Sequence, residues 1–282
     1  MQLEGNRATT GKVLPVTSSR RFIFARARLP AFFTRIFFML YSPDELLALL
    51  IVTGGIVVQA WVGIGFGLLA APLLYLIEPA YVPGPVLVLG WMLSIVVVLK
   101  QRHSLNWRRV LPAIVARLPG SWCGALLLVS IAPWQLSLFF GTALLLAVWL
   151  SLRRYALALT PFSLTVAGFL SGVLGTTTSV GGPPMALLYQ HESRLTTRNE
   201  IAAFFLIGTP LSVLMLLLNG GLELLAPSLI LKMTPGVLLG FWLSRRLEGA
   251  FLNDNVRPAI LLISALSALV VLWQGVTGGL NG

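Results

Sequence analysis

The chain has 282 residues, of which 57% are hydrophobic and only 10% charged, with a mean hydropathy of +0.89. A soluble domain carries about 25% charged residues, so a soluble fold is excluded, and long uncharged runs with weak alternation exclude a membrane β-barrel. The formal net charge of +11 does not point to nucleic acid, because the basic residues fall at the ends of hydrophobic runs, where orientation in a bilayer places them.

Residues 1–43 read as a basic amphipathic N-terminal extension. Its first 40 residues carry Arg7, Lys12, Arg20, Arg21, Arg26, Arg28 and Arg35 against one acid, Glu4. The aromatic stretch Phe22 to Tyr41 is too interrupted by arginine to span, and reads as a surface-lying helix. Met39 stands just before the first good span, so the extension also reads as an addition upstream of the native start.

Eight hydrophobic segments follow. Segment A is 46–77, B 82–99, C 110–129, D 133–152, E 162–189, F 201–218, G 224–243 and H 258–274. Their connections are short, so the expected fold is one all-α membrane domain. The lone cysteine, Cys123, allows no internal disulfide, and the two histidines, His103 and His191, sit in loops. No cluster has metal-ligand spacing, no nucleophile has a nearby base and no P-loop is present. Neither an enzyme nor a cofactor is expected.

The chain repeats itself. Gly54 in A matches Gly168 in E, Gly67 matches Gly181, and Leu73-Leu74-Tyr75 matches Leu187-Leu188-Tyr189, all at one offset. Pro119-Gly120-x-x-x-Gly124 in C matches Pro235-Gly236-x-x-x-Gly240 in G. The expected halves are 44–154 and 155–282, each of four segments. Loop charges then oppose one another. The B–C loop holds Lys100, Arg102, Arg108 and Arg109, while F–G has no basic residue; C–D has none, while G–H has Arg245, Arg246 and Arg257. A–B has none, while E–F has Arg194 and Arg198. That is the pattern of an inverted repeat. Arg153 and Arg154 precede E and Arg194 follows it, so E enters and leaves by one face in two legs of about 14 residues. By symmetry A does the same from the other face.

The candidate site lies at the two breaks. In E, Gly172, Gly175, Gly181 and Gly182 weaken a helix and Pro183 and Pro184 remove backbone donors. Thr176, Thr177, Thr178 and Ser179 put four hydroxyls between the glycine groups. A broken backbone at membrane depth is tolerated only where protein or a polar cavity covers it. A helix restarting there leaves N–H groups free to hold an anion. The Thr177 hydroxyl is expected to face the substrate. In A, Gly63, Gly65 and Gly67 followed by Pro72 form the partner break. Arg117, about 12 Å past Arg109 by helical rise, is a candidate anion-attracting charge, with Lys232 as its repeat counterpart and Gln59 as a further polar group. The PGxxxG pairs read as helix-packing faces.

Two halves that each open with a glycine-rich break followed by proline resemble the sulfite exporter TauE/SafE family. The residues that carry the likeness are Gly63-Ile64-Gly65-Phe66-Gly67 with Pro72-Leu73, Gly172-Val173-Leu174-Gly175 with Gly181-Gly182-Pro183-Pro184, and the four-spaced glycines of C and G. It covers roughly residues 45–275. The resemblance implies a multi-pass secondary exporter of small anions, such as sulfite or organosulfonates, in the bacterial inner membrane. The expected partners are a small anion and the lipid bilayer, with homo-oligomerisation left open. A channel-like pore and a non-transporting assembly partner are the alternative readings. The three hydroxyls at Thr176 to Thr178, where the family often has glycine, bear on which anion fits.

Overall fold

The computed structural model describes residues 41–62, 65–101, 105–152, 157–247 and 256–280. Residues 1–40 of the N-terminal extension, Gly63 and the Arg153–Arg154 pair lie outside the described residues. From Ser42 onward the chain forms one unit of ten helices among the described residues. These are α1 (Pro43–Val62), α2 (Phe66–Ile77), α3 (Gly84–Gln101), α4 (Trp107–Ser130) and α5 (Pro133–Leu152). The second half contributes α6 (Pro161–Thr178), α7 (Gly182–Leu188), α8 (Arg194–Leu218), α9 (Pro227–Arg246) and α10 (Val256–Leu280).

Local chemistry sets the helix ends. Asn106 caps α4 by accepting from Arg109 N at 3.2 Å. Ser193 caps α8 by accepting from Thr196 N at 3.1 Å. Thr160 and Ser163 form a reciprocal capping box at α6, with Pro161 in the first turn. Termination of α6 falls on Ser179, which adopts a left-handed φ of 61° and returns its N–H to Gly175 O. Gly65 at φ 128° starts α2, a conformation only glycine adopts without strain.

Seven helical stretches among the described residues are long and apolar enough to cross a membrane: Pro43–Trp61, Pro79–Lys100, Trp107–Ser130, Pro133–Leu152, Arg194–Leu218, Glu223–Arg246 and Pro258–Leu280. The protein is a multi-pass membrane protein. Of the eight expected segments, E is the one that supplies no such stretch. It splits into α6 and the seven-residue α7, so its legs are unequal and the turn comes late, at Ser179 to Gly181. Thr177 and Thr178, whose hydroxyls bond back to their own helix, carry α6 past Gly175.

Both broken segments fold back on themselves. A methyl group at Gly181 would sit 2.8 Å from Ser171 O and 3.2 Å from Gly175 Cα, so the return runs down the side of α6. Leu188 and Tyr189, past the return, share an apolar cluster with Val110 at the start of α4 and Leu164 at the start of α6. Arg109 pairs with Glu192 just beyond. The segment therefore leaves where it entered. In the first half a methyl at Gly55 would touch the Phe66 ring at 2.9 Å and Ala70 Cβ at 3.4 Å, so α2 lies back along α1. Asp44 and Glu45, which open α1, act electrostatically on Tyr81, just past α2.

The four-spaced glycines pack helices against each other, as their spacing requires. Going along α4 and α6 in step, Gly168 meets Ala113, Gly172 meets Arg117 O and Gly124 meets Val173 O. The two helices are thus parallel and close enough for backbone contact. In the same way Gly236 and Gly240 of α9 meet Leu49 O and Thr53 O of α1. Exchanging the halves maps each of these partnerships onto another: α4 with α6 onto α9 with α1, α4 with α8 onto α9 with α3, and α5 with α7 onto α10 with α2. The pairs α3 with α8, α5 with α10 and α2 with α7 map onto themselves.

Candidate functional site

The two breaks meet. A side chain at Gly67 would run into the Ser179 carbonyl, so the start of α2 and the end of α6 touch through backbone. Each tip is also tied to the opposite half. Ser179 Oγ donates to Pro83 O at 2.6 Å. From the other tip, Trp61 Nε1 donates to Ser244 O at 2.9 Å, and Ala60 O accepts from Arg198 Nη1 at 3.4 Å. Pro72 is buried inside α2, and Pro183 and Pro184 are buried in the first turn of α7.

Few of the expected donors are unspent. The leading N–H of α2, at Phe66, is already bonded to Gln59 Oε1 at 3.0 Å. Gln59 therefore caps a helix. Thr177 Oγ1 donates to Val173 O at 2.8 Å and Thr178 Oγ1 to Leu174 O at 2.6 Å. Thr177, expected to face substrate, spends its proton on its own helix. Thr176 differs: its hydroxyl is fully buried and without a hydrogen-bond partner among the described residues.

The charge of the site belongs to Arg117, whose side chain is 0% exposed. Its Nε donates to Gly208 O at 3.0 Å, Nη1 to Ser171 Oγ at 3.1 Å, and Nη2 to Ser212 Oγ at 3.2 Å. The guanidinium carbon lies 4.8 Å from the ring centre of Phe204 and 5.0 Å from that of Phe205. Ser212 also contacts Ser121 Oγ at 2.9 Å. Ser171 passes its own proton to Gly181 O at 2.5 Å, so Arg117 is one hydroxyl away from the broken backbone. Gly175 is needed here: a methyl group on it would stand 3.0 Å from Nη2. Gly208 is needed more, since a methyl there would collide with Arg117 Cδ and stand 2.7 Å from Nε. Among the described residues the partners of this guanidinium are one carbonyl, two hydroxyls and two ring faces, none of them a carboxylate. A buried cation lacking a counter-charge is costly.

Lys232 has no such setting. It is half-exposed and paired with Glu45 at the start of α1. The residue that stands two before the proline in G, as Arg117 does in C, is Met233, which is fully buried. Helical register turns the lysine outward and the methionine inward.

A second charged group lies in the second turn of α8. Glu200 is 3% exposed and accepts from Tyr189 Oη at 2.8 Å, with Arg109 Nη1 at 3.6 Å. Arg109 also pairs with Glu192. This cluster joins the end of the E hairpin to α4 and α8.

Among comparisons with known proteins, the family model described as sulfite exporter TauE/SafE matches residues 47–271. No curated protein and no solved structure matches the chain.

Proposed function

The chain belongs to the sulfite exporter TauE/SafE family, and we propose that it is a secondary exporter of small anions, sulfite or organosulfonate-like, with Arg117 as the charge that holds them. The observation that carries this reading is a fully buried guanidinium with neutral partners, set against the break between α6 and α7. Ionisable groups at membrane depth without a function are rare. An anion at Arg117 supplies the missing counter-charge.

The breaks give the anion its surroundings. Gly172, Gly175, Gly181, Gly182 and the two prolines form one wall, with Thr176 through Ser179 as its hydroxyl rim. Gly65, Gly67 and Pro72 form the other. The two halves act as inverted repeats and rock about this centre, which exposes it to one face at a time. The guanidinium exchanges its bonds to Ser171 and Ser212 for bonds to the anion as the halves part. Exit from a cell with a negative interior is favoured by about 2.3 kcal/mol per charge per 100 mV, enough to drive export. The expected setting is a bacterial inner membrane, with the Arg194–Arg198 end of α8 on the cytoplasmic side.

Purified protein in liposomes tests the reading. Labelled sulfite should leave loaded vesicles faster than from protein-free vesicles, saturate with concentration, and speed up when the interior is made negative. Efflux equal to the protein-free rate contradicts it.

A further inference from the structure

The surroundings of Arg117 also say how much charge the site accepts. Three helices pack around it. Helix α6 bears no charged residue at all. On α4 the nearest described charge is Arg109, eight residues away, or about 12 Å by helical rise. On α8 it is Glu200, eight residues before Gly208 and equally distant. Arg109 and Glu200 are engaged with each other and with Glu192 and Tyr189. Arg198 reaches the Ala60 carbonyl instead. Arg108 and Arg194, at the helix starts, are exposed, as is His191. The other polar groups nearest the guanidinium are the neutral hydroxyls of Ser121, Ser171 and Ser212, with the unpartnered Thr176 one and a half turns past Ser171 on α6.

On the reading of Arg117 as the anion centre, we infer that the site is built for one negative charge: it takes singly charged oxyanions, such as hydrogensulfite or an alkylsulfonate, and refuses dianions such as sulfate. A monoanion and Arg117 form a neutral buried pair. A dianion leaves one charge desolvated and unmatched, and hydroxyl dipoles do not replace the missing cation. The discrimination should be roughly 100-fold or more, as expected when a whole charge is left unpaired out of water.

Wild-type proteoliposomes decide this, with methanesulfonate, sulfite and sulfate as probes. Methanesulfonate keeps one charge at every pH used. Sulfite is mainly hydrogensulfite when acidic and a dianion when basic. Sulfite efflux should fall as pH rises through that equilibrium while methanesulfonate efflux stays level, and sulfate should compete with methanesulfonate about 100-fold more weakly. The Arg117→Lys variant, which keeps the charge and loses the fork, should retain the preference at lower flux. Sulfate competing within about tenfold of methanesulfonate, with both fluxes dependent on Arg117, overturns the single-charge inference and leaves the anion centre standing. Flux indifferent to Arg117→Gln, or no flux with any probe, overturns the anion centre and this inference with it.

Discussion

The two hairpins are built alike and filled differently. On α3, Gly90 and Ser94 stand four apart, with Ser94 Oγ bonded to Gly90 O at 3.1 Å. On α8, Gly208 and Ser212 repeat the arrangement at 3.2 Å. In the first half the space over the glycine is taken by the ring of Phe66, which also lies on Gly55. In the second half it is taken by the Arg117 side chain, which also lies against Gly175. The first half seals its break with an aromatic ring and spends its helix-end donor on Gln59. The second half leaves a charge there. One glycine–serine arrangement, used twice, thus holds a packed ring in one half and the proposed anion centre in the other, and the difference lies in which side chain enters the glycine gap.

Mutations that strike the two halves at equivalent places break or sharpen this contrast. The largest effect is expected for Arg117→Gln, which should lower sulfite flux by about 100-fold or more, whereas Lys232→Gln on the other half should leave it nearly unchanged. Equal losses would mean the halves share the charge. Next comes Gly208→Ala, whose methyl must displace Arg117; overpacking of this kind costs about 1–3 kcal/mol, so flux should fall roughly tenfold or more. Gly90→Ala meets only the Phe66 ring, at 3.3 Å, and should be milder. A third pair is Ser212→Ala against Ser94→Ala. Ser212 receives two guanidinium bonds that the anion displaces, so its loss should raise sulfite affinity, by about 1 kcal/mol. Ser94→Ala should not change affinity. Thr177→Val should alter flux least, by under about twofold, since its hydroxyl bonds its own helix, an interaction of small net worth.

Much of this was legible in the sequence, for reasons that can be named. Glycine and proline clusters at Gly172 to Pro184 marked a break because they deny a helix its donors and its rigidity. Charges at both ends of segment E fixed its return, which the Arg109–Glu192 pair now shows in space. Arg117 stood out because counting from Arg109 put it near the end of snorkelling range. Its partners did not stand out. Ser171, Gly208 and Ser212 are 54, 91 and 95 residues away, and short polar or glycine residues in apolar helices are common. Lys232 was matched to Arg117 by closeness to a proline, but a shift of one residue turns a helical side chain by about 100°, and Met233 holds the inward position. The hydroxyl run was read as a set of free donors because back-bonding to the preceding turn leaves no sequence mark. Of the four, only Thr176 has a hydroxyl without a hydrogen-bond partner among the described residues.

Equilibrium binding of labelled sulfite to purified protein, wild type against Arg117→Gln, tests the central claim most directly, because it is independent of driving force and of the rate of rocking. Saturable binding at one site per chain in the wild type, lost or weakened about 100-fold in Arg117→Gln, is the predicted result. Binding of equal strength in the two proteins, with the variant folded, would contradict the claim that this buried arginine holds the anion.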